Sequence, residues 1–187
     1  STSSHSPNTR PPSSPAAEAR PVLYDPHVSA IADRLLQLGL VLPPPMSAPP
    51  DVVLPFSPVV VRGNRALVSG HGPQDPDGSL ARPLGKVGAE LTAEQGNHAA
   101  RLTALGILGS LERAIGDLDR ITGWTRVFGM VNAAPGFDRL PGVINGFSYL
   151  ILEVFGTEVG THTRSAVGLA ELPFSIPVEI ECEVEIR

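Results

Sequence analysis

The stretch 176–186 constrains the fold more than any other part of the chain. Ile176, Val178, Ile180, Cys182, Val184 and Ile186 alternate with Pro177, Glu179, Glu181, Glu183 and Glu185. Successive side chains of a strand point to opposite faces, so this pattern requires a sheet with one dry face and one polar face. Cys182 falls on the dry side and reads as a small core residue. It is the only cysteine in the chain, so neither an intrachain disulfide nor a cysteine metal site can form.

A half-dry sheet needs cover, and two helical patterns supply it. Thr92 and Gln95 fit a capping box, and Gly116 fits a C-terminal stop. Between them Leu102, Leu105, Leu108, Leu111 and Ile115 recur at three- and four-residue spacing. Ala99, Gly106 and Gly109 keep that helix surface low, which is expected to suit close packing on a sheet. A second helix is expected over residues 140–155, with Pro141 near its start and Gly156 at its end.

Strands are expected at 59–61 and 66–69, flanking the turn Arg62-Gly63-Asn64-Arg65, and again at 121–131 and 164–172. Residues 71–90 are irregular, with turn signals at Asp75-Pro76-Asp77-Gly78. Hairpin, helix, strand, helix, strand, strand is an α+β layout, with two helices covering one face of a mixed sheet. The other face must meet solvent or further subunits.

The chain reads as three zones. Residues 1–20 are rich in Ser and Pro, with little to bury, and are expected to be disordered. Their mixture of Ser and Arg also suits a targeting remnant, and a plain flexible tail ranks above it. Residues 21–50 form a helical arm and proline-rich linker: Asp25 can cap a helix over 25–40, Pro26 can open it and Gly39 can end it, before Pro43-Pro44-Pro45. Residues 51–187 form the main domain.

The formal net charge is −5 and Lys86 is the only lysine. Phosphate binding usually needs a clustered basic surface, so a nucleic-acid partner ranks low. No run of 18 or more apolar residues suggests a membrane span. A cytoplasmic location is the default expectation, and an organellar one follows if residues 1–20 are a targeting remnant. His27, His98 and His162 show no metal-ligand spacing and are expected at the surface.

From Leu54 onward the chain resembles the YjgF/RidA family, particularly a branch with an N-terminal helical arm. The residues that carry the resemblance are LPFSPVVVRGNRALVSGHGP at 54–73, GKVGAELTAEQG at 85–96 and GDLDRITGWTRVFGMVNAAPGF at 116–137. VINGFSYLILEVFG at 143–156 and RSAVGLAELPFSIPVEIE at 164–181 complete it. The resemblance implies a chorismate-mutase-like fold and a homotrimer with a barrel-like centre and a ligand cleft at each subunit interface. It implies that Arg164 binds a substrate carboxylate, that Glu179 positions a water, and that Ser69 and Gly70 line the cleft. Phe56, His71 and Ala166 stand where the best-studied branch has tyrosine, glutamine and cysteine. The loop 132–137 is longer, so a ligand contact falls on Asn132 only by approximate correspondence.

These residues suit one chemistry. A guanidinium fork matches a 2-imino or 2-oxo acid carboxylate bidentately. A carboxylate at Glu179, expected near Arg164, can orient a water toward an imine carbon and shuttle its proton. No cofactor or metal is required. His71 is open to two readings, as an acid or base and as a hydrogen-bonded loop histidine. The leading expectation is hydrolytic deamination of a reactive 2-imino acid. A non-enzymatic trimer that binds a small carboxylate ranks second, and an endoribonuclease third.

Overall fold

The computed structural model describes residues 29–46 and 54–187. The expected tail at 1–20, His27 and the Asp25-Pro26 helix start lie outside them.

The sheet has five strands in the order β1 (Val59–Arg62), β2 (Arg65–His71), β5 (Val178–Ile186), β3 (Ile121–Asn132), β4 (Thr163–Leu169). Every neighbouring pair is antiparallel except β3 and β4, which run parallel. The mixed sheet is therefore as expected. β5 sits at its centre, and its side chains alternate between buried and half-buried along the whole strand. The strand 164–172 is shorter than expected and stops at Leu169, because Pro173 and Phe174 turn the chain before β5.

Two long helices, α2 (Ala93–Ile115) and α3 (Leu140–Gly160), cover the dry face. The Thr92/Gln95 capping box forms in full, and Gly116 ends α2 in the left-handed conformation (φ 82°). Gly156 breaks α3 as expected (φ 72°), but one further turn follows it up to Gly160. By length and composition α3 could cross a membrane. Here its apolar character is spent on the core, where Val143, Ile144, Phe147, Leu150, Ile151 and Val154 are buried. Trp124 of β3 meets the rings of Phe147 and Phe155 edge-on, at 5.8 and 5.6 Å.

The small residues of α2 serve a different neighbour from the one expected. A Cβ on Gly109 would lie 2.9 Å from the carbonyl oxygen of Pro43, and one on Gly106 would lie 2.7 Å from Gln74 Oε1. They admit the N-terminal arm and the loop after β2, not the sheet. The arm helix α1 (Ala30–Gln37) is capped by Ser29. The Asp119 carboxylate accepts from the backbone N–H groups of Ala30 and Ile31 at 2.7 and 2.8 Å, which fastens the arm's first turn to the body.

The tightest approach of α2 and α3 is at Gly146, where a Cβ would fall 2.0 Å from the carbonyl oxygen of Asn97. Backbone cannot yield as a side chain can. Gly146→Ala is expected to lower the denaturation midpoint by an amount equivalent to about 1–3 kcal/mol or more, measured by chemical unfolding against wild type.

Candidate functional site

Arg164 lies on β4 opposite Val127 of β3, so its side chain rises on the helix-covered face. There α3 receives it. Its Nη1 donates to Asn145 Oδ1 at 2.9 Å and to Ser148 Oγ at 3.0 Å, and its Nη2 donates to the Pro141 carbonyl at 3.4 Å. All three partners are neutral. No carboxylate pairs with Arg164 among the described residues. Burial pulls the guanidinium below its usual pKa, with nearby Tyr149 acting the other way, yet an arginine stays charged. Both Nη1 hydrogens are engaged, which leaves Nε and one Nη2 hydrogen for an anion. Ala166, two residues on, shows no polar atom and packs against the core.

Glu179 belongs to the other face. It pairs with Met130 across β3–β5 and reaches Gly70 of β2, where a Cβ would fall 2.0 Å from its Oε1. The register of β2 on β5 slips between Val68 and His71, and that bulge brings Gly70 to the carboxylate. Burial and then the charge of Glu181 push the Glu179 carboxyl above its ordinary range. No base pairs with it among the described residues, whereas Glu183 is held by Arg65 at 2.6 Å. Ser69 Oγ donates to the Ser57 carbonyl at 2.8 Å, which places exposed Phe56 at the rim beside it.

The structure decides between the two readings of His71 in favour of the hydrogen-bonded one. Its ring is buried on the helix side, away from Glu179. Nδ1 donates to the Ser69 carbonyl at 2.6 Å, and Nε2 lies 2.9 Å from Ser110 Oγ of α2. Burial lowers its pKa, and Arg113 adds to that. His71 thus braces the bulge that presents Gly70. Asn132 is also engaged: its Oδ1 accepts from Lys86 Nζ at 3.1 Å, and its Nδ2 donates to the Ile176 carbonyl at 3.2 Å. Lys86 in turn reaches the Ala170 carbonyl and Glu171. Asn132 clamps the loop carrying Lys86 to the segment before β5.

The expected residues therefore fall into two groups, Arg164 with Ala166 and Glu179 with Ser69, Gly70 and Phe56. Glu179 matches Met130 while Arg164 matches Val127, three residues away along β3. An odd separation puts the two on opposite faces, and along-strand and across-strand offsets of about 10 Å each separate them further. The expectation that Glu179 lies near Arg164 fails within one chain. His162, expected at the surface, is half-buried and bonded to Ser148. Asn145, Ser148 and His162 escaped sequence reasoning. The available signal was two polar side chains three residues apart in an otherwise apolar stretch of helix.

Residues 32–180 match the family model described as "YjgF/chorismate mutase-like, putative endoribonuclease". The chain belongs to this YjgF family. The match takes in the arm, so the YjgF likeness begins well before Leu54. The chain is 40% identical to Protein TCP17 of Trypanosoma cruzi over 84% of this chain and 94% of that protein. A crystal structure of a protein of unknown function from Agrobacterium tumefaciens superposes with a TM-score of 0.74 at 38% identity, covering 84% of this chain and 93% of that one. A protein from Shewanella oneidensis, described as a putative endoribonuclease, gives 0.76 at 29% identity, covering 83% and 99%. YjgF membership supports a general small-molecule or imine-deaminase-type role.

Two substitutions test the Glu179 side. A carboxyl whose pKa is raised in the folded state favours folding below its unfolded pKa, and that contribution is lost as pH rises through the folded value. Glu179→Gln is therefore expected to melt above wild type at neutral pH, with the gap closing on acidification, followed by thermal melts across pH. Gly70→Ala should leave the melting point within a few degrees while displacing the Glu179 carboxylate, which a crystal structure of the variant would show.

Proposed function

We propose that the chain is a cofactor-independent hydrolytic deaminase of reactive 2-imino acids, working at a cleft between subunits of a homotrimer. The observation that carries this reading is Arg164: a half-buried guanidinium with no acid partner among the described residues, steadied by three neutral acceptors, and with donors to spare for a carboxylate. Since Glu179 stands on the opposite face, a single cleft holding both requires Arg164 of one subunit and Glu179 of the next. The open sheet face that carries Glu179 also carries Leu67, Phe128 and Met130 with no helix over them, which suits contact with further subunits.

In that cleft the substrate carboxylate lies on Arg164 and its iminium carbon faces Glu179. The carboxylate of Glu179 takes a proton from a water as the oxygen bonds to the carbon, giving a carbinolamine. The same proton is returned to the nitrogen, the C–N bond breaks as Glu179 takes the hydroxyl proton and the carbonyl forms, and a 2-oxo acid leaves with ammonia, which carries that last proton away as ammonium. A carboxyl with a raised pKa suits both halves of this exchange near neutral pH. The enamine form enters by taking a proton on its terminal carbon. Ser69 and Gly70 line the reacting end.

Phe56 and Ala166 bring no polar atom to the site, and the ring of His71 faces away from it. These observations favour a non-enzymatic carboxylate binder as the second reading. RNA cleavage ranks third, because the half-buried Glu179, Glu181 and Glu185 on the open face repel phosphate.

The deciding assay supplies 2-aminoacrylate in situ from a dehydratase and follows ammonia and 2-oxo acid. Wild type is expected to accelerate release over buffer, and Arg164→Ala to lose that acceleration by about 100-fold or more. No acceleration by wild type would favour the binder. A stable monomer by sedimentation at assay concentration would sink the shared cleft.

A further inference from the structure

We propose that His162 is the positioning residue of the Arg164 site, and that carboxylate binding there is coupled through Ser148 to protonation of His162. The inference rests on the carboxylate reading of Arg164 given above.

The geometry is a relay of three side chains. His162 Nδ1 lies 2.7 Å from the Gly160 carbonyl, which only accepts, so this nitrogen carries the hydrogen. In the neutral ring Nε2 is then an acceptor, 2.9 Å from Ser148 Oγ, and the hydroxyl hydrogen must point to it. The serine oxygen is thereby left to accept from Arg164 Nη1 at 3.0 Å. Neutral His162 thus orients the hydroxyl that holds the guanidinium. The ring is itself fixed edge-on to Phe147, with centroids 6.3 Å apart.

The same arrangement occurs a second time. His71 Nδ1 meets the carbonyl two residues back, Nε2 meets Ser110 Oγ, and that oxygen accepts from Arg113 Nη2 at 3.1 Å. There the arginine reaches the arm, since its Nη1 donates to the Pro43 carbonyl. Arg164 is instead held within the β4–α3 layer by Asn145, Ser148 and the Pro141 carbonyl, with Nε and one Nη2 hydrogen left for a ligand. One relay is a brace and the other a holder.

Protonating His162 reverses the central bond. Nε2 becomes a donor to Ser148 Oγ, the hydroxyl hydrogen turns away, and one oxygen now accepts from two cations. Facing the ring are Arg164 from β4 and Ser148 and Phe147 from α3, and among the described residues no carboxylate is one of the charges acting on it. Burial and Arg164 hold its pKa down against the Gly160 bond. A carboxylate docked on Arg164 neutralises that facing charge. Proton and carboxylate then favour each other, and by linkage each tightens the other's binding.

The test has a ligand-free arm and a ligand arm, on the full chain. By NMR titration, Arg164→Gln is expected to raise the His162 midpoint, and an unchanged midpoint would overturn the relay; Ser148→Ala serves as a second variant should Arg164→Gln fail to fold. Calorimetry with pyruvate in buffers of different ionisation enthalpy then counts protons. Wild type is expected to take up a proton and to bind several-fold more tightly as pH falls from about 8 to 5, while His162→Gln takes up less and keeps only the weaker dependence that Glu179 across the cleft supplies. Binding with no proton uptake in wild type, or the same uptake in His162→Gln, overturns the coupling. If His162 responds to Arg164 but pyruvate does not bind, the positioning role is supported and the carboxylate reading falls.

Discussion

Burial of one face of the sheet, and one only, governs the rest of the structure. β5 has a strand on each side and helices over Val178, Ile180, Cys182 and Val184, so its odd-numbered positions have nowhere to go but the open face. A slip of one residue would exchange the two sets and bury a row of carboxylates. Each aliphatic side chain sealed by α2 and α3 contributes about 1.5–3 kcal/mol, so the register is strongly defined. The same parity sends Arg164 toward α3 and Glu179 away from it. Two residues that suit one reaction are thus separated by the feature that makes the domain stable.

That separation explains why each half carries an unbalanced charge. Arg164 is partly desolvated among neutral acceptors, and Glu179 lies beside another acid instead of a base. Both arrangements oppose folding slightly, and the packed core tolerates them. Groups poised in this way bind a partner of opposite charge more strongly than a pair already satisfied by each other.

Much of the fold could be read from local pattern. The alternation in β5, the Thr92/Gln95 box and the glycines at 116 and 156 each report the backbone around them, and each appears where expected. What could not be read depends on partners distant in sequence. The ring of His71 is fixed by Ser110 and the guanidinium of Arg164 by Asn145 and Ser148, and nothing near either residue signals this. Gly106 and Gly109 revealed close approaches but not their partners, which are the loop after β2 and the arm. β4 is too short and too evenly half-buried for its pattern alone to say which face Arg164 takes.

The arm also connects to the open face. The Pro43 carbonyl holds Arg113, Arg113 holds Ser110, and Ser110 holds the histidine that braces the bulge under Gly70. A chain trimmed back to the first strand would keep all five strands and both long helices. It would leave the far end of that tether untied, and the carboxylate at position 179 would then rest on a looser floor. The arm is in this sense part of the foundation under Glu179, although no atom of it need ever touch that side chain.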